Sequence, residues 1–337
     1  MSLQSIVRHL YEINQKQNLY IRPRHAFIHQ LYHTSHNIVN HQSSFFSRVR
    51  RLYNLNQNRV LNIRRNHPFI RALYNDYIKL ISSQIYDKNK KAALLIGINY
   101  KGTQNELRGC ENDVYDTKKI LIAHYGFKEE NIRILSESEN KDHQPTRTNI
   151  LMGMQWLVQK GDSGFGTLWF QYSGHGFYIK DNDGDEKDGH DECIVTSDNY
   201  PILDDEFKSL LVNNLHKDVN LFCLMDCCHS GTMLDLKYKY RNKITSVETN
   251  KKAAQCRAVA LSGCRDDQTS ADAWFNGNFA GALTKTFMDV LKSNKYHNIP
   301  VFHMVENIRT ELKKGEFEQI PQLTCSIPLS HTSTFNM

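Results

Sequence analysis

From residue 93 onward, short continuous apolar runs alternate with stretches whose apolar residues recur every three or four positions. The run Ala93-Leu-Leu-Ile-Gly-Ile98 has no polar side, as expected of a strand covered on both faces of a parallel sheet. Similar runs stand at 132–135, 168–172, 221–225 and 258–262. Between and after them the spacing predicts helices over 113–123, 146–159, 204–212, 279–291 and 301–313, with Thr146 as an N-cap. Repeated strand–helix alternation of this kind predicts an α/β domain with a mostly parallel sheet. In such sheets ligands bind outside the carboxyl ends of the strands. Two polar clusters fall at such ends: Ser173-Gly-His-Gly176 after the third run and Asp226-Cys-Cys-His-Ser-Gly231 after the fourth.

Residues 1–90 have a different pattern. They are rich in Arg, His, Asn, Gln and Tyr, with apolar residues only partly at helical spacing (Ile6, Leu10, Ile13; Phe69, Leu73). Charge sharpens the division. Residues 1–91 carry 15 Lys and Arg against three acids, whereas the rest carries 27 basic against 33 acidic residues, so the formal net charge of +6 hides two regions of opposite sign. The expected organisation is a basic, pro-segment-like region at 1–90 and one domain over 91–337, with Asp87-Lys-Asn-Lys-Lys91 an exposed junction. A nucleic-acid or anionic-membrane arm is the alternative reading of residues 1–90, and no specific nucleic-acid motif supports it.

Composition narrows the class. With 40% hydrophobic and 23% charged residues and only seven Pro, the 337-residue chain is neither disordered nor fibrous. No apolar run approaches the ~20 residues of a membrane helix, and the start lacks an apolar signal-peptide core, so a cytoplasmic location is expected. Eight cysteines include the adjacent pair Cys227 and Cys228 and form no C-x-x-C spacing, which suits neither a disulfide framework nor a structural zinc site. A reduced, intracellular protein is the economical reading, and one reactive cysteine is worth seeking among these thiols. A His at one strand end and a Cys at another is the arrangement that a thiol nucleophile and its base need, with His175 as the base. His229 adjoins the doublet, but successive side chains on extended backbone point apart, which makes it structural. The oxyanion of a tetrahedral intermediate needs fixed N–H donors, for which the backbone amides of Gly176 and Cys228 are placed. The acid or other group orienting His175 is not legible.

Tyr172-Ser-Gly-His-Gly176 and Asp226-Cys-Cys-His-Ser-Gly231, with 53 residues from His175 to Cys228, resemble the signature blocks of metacaspases, cysteine peptidases of caspase fold. Further blocks agree in order: Ile96-Gly-Ile-Asn-Tyr100, Leu107-Arg-Gly-Cys-Glu-Asn-Asp113, Gln144-Pro-Thr-Arg147, Leu261-Ser-Gly-Cys264, Gln268-Thr-Ser-Ala-Asp272 and Ile320-Pro-Gln-Leu-Thr-Cys-Ser326. The resemblance covers residues 91–326 and is to the type I members, although residues 1–90 lack their Pro-rich or zinc-finger prodomain. It implies a caspase-like three-layer α/β/α sandwich. It selects Cys228 as nucleophile, leaving Cys227 accessory, and it implies the Gly176 and Cys228 amides as oxyanion donors.

It further implies an S1 pocket of Asp113, Ser173 and Asp226. Two carboxylates there favour substrates with Arg or Lys at P1. Asp113 is also placed to be a plain acid near a helix N-terminus. The resemblance maps calcium ligands to Asp191, Asp204, Asp205 and Asp235. The acidic stretch 181–192 lacks EF-hand spacing, and Asp204 is alternatively a helix cap. The implied protein is a calcium-dependent, monomeric endopeptidase acting on protein or peptide substrates. Self-processing is expected at basic sites such as Lys88, Lys90, Lys91 and the basic, exposed stretch 237–257. A catalytically quiet caspase-fold scaffold or quality-control factor is the rival, against which the complete His175/Cys228 pair speaks.

Overall fold

The central sheet begins earlier than the apolar run suggests. In the computed structural model, which describes residues 86–180, 190–227, 233–234, 236–241, 244–247, 254–263, 272–275 and 278–337, strand β1 spans Asp87–Gly97. Its first residues are polar and exposed, yet they pair with β3 (Phe165–Ser173) across a register shift between Asp87 and Lys91. The expected junction at 87–91 is therefore the first part of a strand. The lysines there are tied down: Lys88 Nζ donates to Gly166 O at 3.2 Å and Asn220 Oδ1 at 3.1 Å, and Lys91 Nζ to Tyr125 O at 2.6 Å. By contacts the chain divides into Met1–Ile85 and Tyr86–Met337, and all described residues belong to the second unit.

β1 is flanked by β2 (Ile132–Ser136) on one side and β3 on the other, both parallel to it. Beyond β3 follow β7 (Asn220–Asp226) and β10 (Arg257–Ser262), also parallel. All five parallel strands coincide with the predicted apolar runs. The sheet continues antiparallel through β14 (Gln322–Cys325), β8 (Tyr238–Arg241) and β9 (Ile244–Val247), giving the order β2-β1-β3-β7-β10-β14-β8-β9. Tyr240 and Lys239 of β8 are buried whereas Val247 and Arg257 are exposed, so among the described residues the expectation of an exposed stretch at 237–257 holds only in part. Its sequence is polar, but pairing with β14 satisfies the backbone.

Helices cover both faces. Alternation along the strands sends Leu94, Ile96, Phe170, Tyr172 and Cys223 to one face, under α2 (Arg147–Asp162) and α3 (Asp204–Leu210). Leu95, Trp169, Phe222 and Leu224 face the other, under α1 (Cys110–Tyr125), α4 (Ala282–Ser293) and α5 (Val301–Lys314). Each fully buried Leu, Ile or Phe here contributes roughly 1.5–3 kcal/mol. The result is a three-layer α/β/α sandwich. Thr146 caps α2 as predicted, its side chain accepting from Asn149 N at 3.3 Å. The helix predicted from 279 starts only at Ala282, because β12 (Asn278–Gly281) pairs with β11 (Asp272–Phe275) first. Beside the main sheet, β4 (Gly176–Lys180), β5 (His190–Ile194) and β6 (Ile202–Leu203) form a small antiparallel sheet.

Candidate active site

The two polar clusters meet because β3 and β7 are neighbours. Ser173 is opposite Asp226 in register, and the Gly174 amide donates to Asp226 O at 3.3 Å. His175 lies two residues past one partner, and Cys228 two residues past the other; Cys228 and His229 fall outside the described residues. Cys227 is fully buried. Four other described thiols are poorly suited to attack. Burial pushes Cys193 and Cys325 up to about 11 and Cys256 to about 12, and Cys223 well above the ordinary range.

His175 is held by groups that the motifs alone did not assign. Its Nε2 lies 2.7 Å from the carbonyl oxygen of Asn105, in the loop between β1 and α1. A carbonyl only accepts, so Nε2 carries the proton and Nδ1 is the basic nitrogen. The His175 amide donates to the Tyr100 hydroxyl at 2.9 Å, and the Tyr172 hydroxyl donates to His175 O at 2.8 Å. The Tyr100 and His175 rings pack 4.7 Å apart, tilted by 36°. Burial raises both tyrosines, so their hydroxyls stay protonated. Tyr100 has φ 52°, a left-handed conformation costing an L residue roughly 1–2 kcal/mol. Glu137 accepts from both flanking amides, Asn99 N at 2.7 Å and Lys101 N at 3.0 Å. Hydrogen bonds to a charged group contribute about 1.5–3 kcal/mol each, enough to hold the strained residue even when part exposure weakens them.

On the opposite side of the β3–β7 seam, Asp113 and Asp226 converge at the start of α4. Both are buried, at 2% and 5% exposure. The Gly281 amide donates to Asp113 Oδ1 at 3.1 Å and Oδ2 at 3.2 Å, and the Thr284 amide donates to Asp226 Oδ2 at 2.8 Å. The first-turn N–H groups and the helix dipole thus receive two negative charges. Gly281 is required: a Cβ there would lie 2.3 Å from Asp226 Oδ2 and 2.7 Å from Asp113 Oδ2. Gly97 does the same service for α1, since a Cβ would meet Cys110 O at 2.4 Å and push the helix off the sheet. Beside Asp226, the Ser173 hydroxyl is buried with no hydrogen-bond partner among the described residues, as is the Gln171 amide two residues earlier on the same strand face. Orphaned buried polar atoms are rare, and here they line the strand ends where a polar ligand group would sit.

The other acidic set lies on the small sheet. β5 and β6 pair Cys193 with Leu203, which brings Asp191 to the same edge as Asp204 and Asp205, the first two residues of α3. Leu203, not Asp204, is the N-cap, so capping does not explain Asp204. Asp204 is buried and Asp205 exposed. Asp235 lies outside the described residues, and among those described no three His, Cys, Asp or Glu residues are grouped as a metal site. The carboxylates nevertheless act on one another's surroundings: burial first, then Asp204, Glu192 and Asp191, raise the Cys193 thiol. Hard oxygen donors of this kind suit calcium in chemistry.

Gly281, Thr284, Asn105 and Glu137 were missed by motif reading. The Gly-Ala-Leu-Thr start of α4 carried a signal, since Gly before a helical stretch permits close approach.

Residues 90–237 match the family model described as "Metacaspase, peptidase C14 domain". Metacaspase-1 of Yarrowia lipolytica is 36% identical over 299 residues, covering 74% of this chain and 64% of that protein. Metacaspase-1 of Schizosaccharomyces pombe is 36% identical over 295 residues, covering 72% and 68%. A crystal structure of a Geobacter sulfurreducens protein, 22% identical, shares the fold with a TM-score of 0.52 over 73% of this chain and 97% of that one.

Proposed function

We propose that this chain, which belongs to the metacaspase family of cysteine peptidases, is a calcium-dependent endopeptidase that cuts after Arg or Lys. The observation that carries the reading is the pair of buried carboxylates, Asp113 and Asp226, set beside the strand ends that bear His175 and lead to Cys228. A guanidinium or ammonium entering beside them finds two acids, and the Ser173 hydroxyl, with no partner among the described residues, is a further acceptor. An Asp at P1 would meet like charge instead.

In this mechanism the lone pair on His175 Nδ1 takes the Cys228 thiol proton. The thiolate sulfur bonds to the scissile carbonyl carbon, and the amides of Gly176 and Cys228 stabilise the oxyanion. The C–N bond breaks as His175 returns the proton to the leaving amine. Water, deprotonated by the same ring, then cleaves the thioester. Asn105 O keeps the ring in one tautomer throughout. Asp191, Asp204, Asp205 and Asp235 would hold calcium, which when bound supplies positive charge to this acidic edge. Processing at basic sites within the chain belongs to the same proposal.

Fluorogenic peptides ending in Arg or Asp, assayed with calcium or chelator for wild type and Cys228→Ala, test it. Release after Arg with calcium alone, lost in Cys228→Ala, is expected. Cleavage after Asp, or release undiminished in Cys228→Ala, would overturn it.

A further inference from the structure

We propose that Glu137 and Tyr100 form a positioning unit for His175, with the Glu137 carboxylate clamping Tyr100 in a left-handed conformation so that its phenol and the loop behind it fix the imidazole. This inference rests on the peptidase reading, because it assigns these residues to the base of that reaction. Tyr100, three residues past the end of β1, has φ 52°, where an L residue stays only if its surroundings hold it. Those surroundings are specific. The two oxygens of Glu137, just past the end of β2, take the amides on either side of Tyr100 at 2.7 and 3.0 Å. Thr103 takes the Tyr100 carbonyl with its amide at 3.1 Å and its hydroxyl at 2.8 Å. Glu111 braces the same corner, accepting from Ser138 N at 2.8 Å and pairing with Lys101.

The held segment reaches His175 at three separate points. The Tyr100 hydroxyl accepts the His175 amide at 2.9 Å and donates to Val195 O at 2.7 Å, whose own amide donates to His175 O at 3.0 Å. The Tyr100 ring packs on the imidazole face at 4.7 Å. Asn105, five residues on, accepts Nε2–H at 2.7 Å. Backbone, ring face and ring nitrogen are thus set by one short loop, and Glu137 anchors the start of that loop. Tyr100 is buried and the Glu137 carboxylate binds only backbone of this loop, so both act through His175.

The test compares Glu137→Gln, Tyr100→Phe and the control Tyr115→Phe in the full chain. Tyr115 loses an equivalent hydroxyl, bonded to Glu139 at 2.8 Å, but does not contact His175. Two readouts are taken: kcat and KM on an Arg peptide, and imidazole 15N shifts of histidine-labelled protein with His175 assigned by His175→Ala. Thermal melts establish that each variant is folded. In the positioning unit, Glu137→Gln and Tyr100→Phe lower kcat by about 10- to 100-fold while KM stays within about threefold. Both also shift His175 away from the Nε2–H tautomer, and Tyr115→Phe does neither. Should Tyr100→Phe not fold, Glu137→Gln carries the same comparison. An unchanged His175 tautomer in the folded variants would overturn the proposal. If the wild type cleaves no peptide, the peptidase reading fails on its own, and the tautomer pattern still decides for or against the unit.

Discussion

Two acidic sites in this molecule use the same side chain in different surroundings. Asp113 and Asp226 are buried against the first turn of α4, and backbone N–H groups meet each of them. Asp191, Asp204 and Asp205 gather at the edge of the small sheet, where Glu192 adds to the negative charge felt by Cys193. In the first site the fold itself supplies the compensating positive potential. In the second, Asp204 and Asp205 also open a helix, α3, but they share its first turn with Glu206. On the proposed function, the first pair receives a cation from a substrate, whereas the second set takes a metal ion.

The largest expected effect comes from breaking the prepared site. Asp226→Asn keeps the shape and a Thr284 acceptor but removes half the charge, and should lower kcat/KM on Arg peptides by about a hundredfold or more. A Lys or Arg preference unaltered by that change would remove Asp226 from specificity. Next in size is Gly281→Ala. Its Cβ overlaps both carboxylates, so helix and strand end must part. Overpacking of this kind costs about 1–3 kcal/mol, and a urea melt should show it together with reduced Arg cleavage. Smaller still is Asp205→Asn at the second site. Since Asp205 is exposed, the calcium-free melting temperature should stay within about a degree, while the rise on adding calcium shrinks. A full calcium response in that variant would strike Asp205 from the ligand set.

The finest comparison uses Cys193 as a reporter. Burial first, then the nearby carboxylates, raise its thiol to about 11. The folded state therefore holds this proton more tightly than the unfolded chain. Its contribution to stability is full below about pH 9 and is lost as pH rises toward 11. Calcium bound to the acidic edge should bring the thiol down, while burial keeps it above its ordinary value. Thiolate absorbance of wild type minus Cys193→Ser, with and without calcium, reads the shift directly. An identical titration in both conditions would mean that the ion binds elsewhere.

The sequence made the five parallel strands legible because continuous apolar runs leave little alternative for a short segment. The antiparallel strands β8 and β14 were not legible, since their polar residues gain stability only from a partner distant in sequence. The same limit applied at the site. Asp113 and Asp226 could be singled out by motif, but their meeting at Gly281 depends on contacts across 168 and 58 residues of chain. The orienting group on His175 was hidden for a further reason. It is a backbone carbonyl, which every residue has, so no side-chain pattern marks Asn105.

The pairing of β1 has a temporal meaning. The Lys88 carbonyl accepts the Thr167 hydroxyl at 3.0 Å, and Lys91 is in register with Thr167 at the start of the central strand. A peptide bond must lie extended and unpaired to thread another protease molecule's cleft. Any cut after these lysines therefore waits for the end of β1 to peel from β3, an opening whose frequency native-state hydrogen exchange can count. Maturation at this point would run on a clock wound by sheet stability, and substitutions that loosen Asp87–Lys91 would set it fast without touching the catalytic groups.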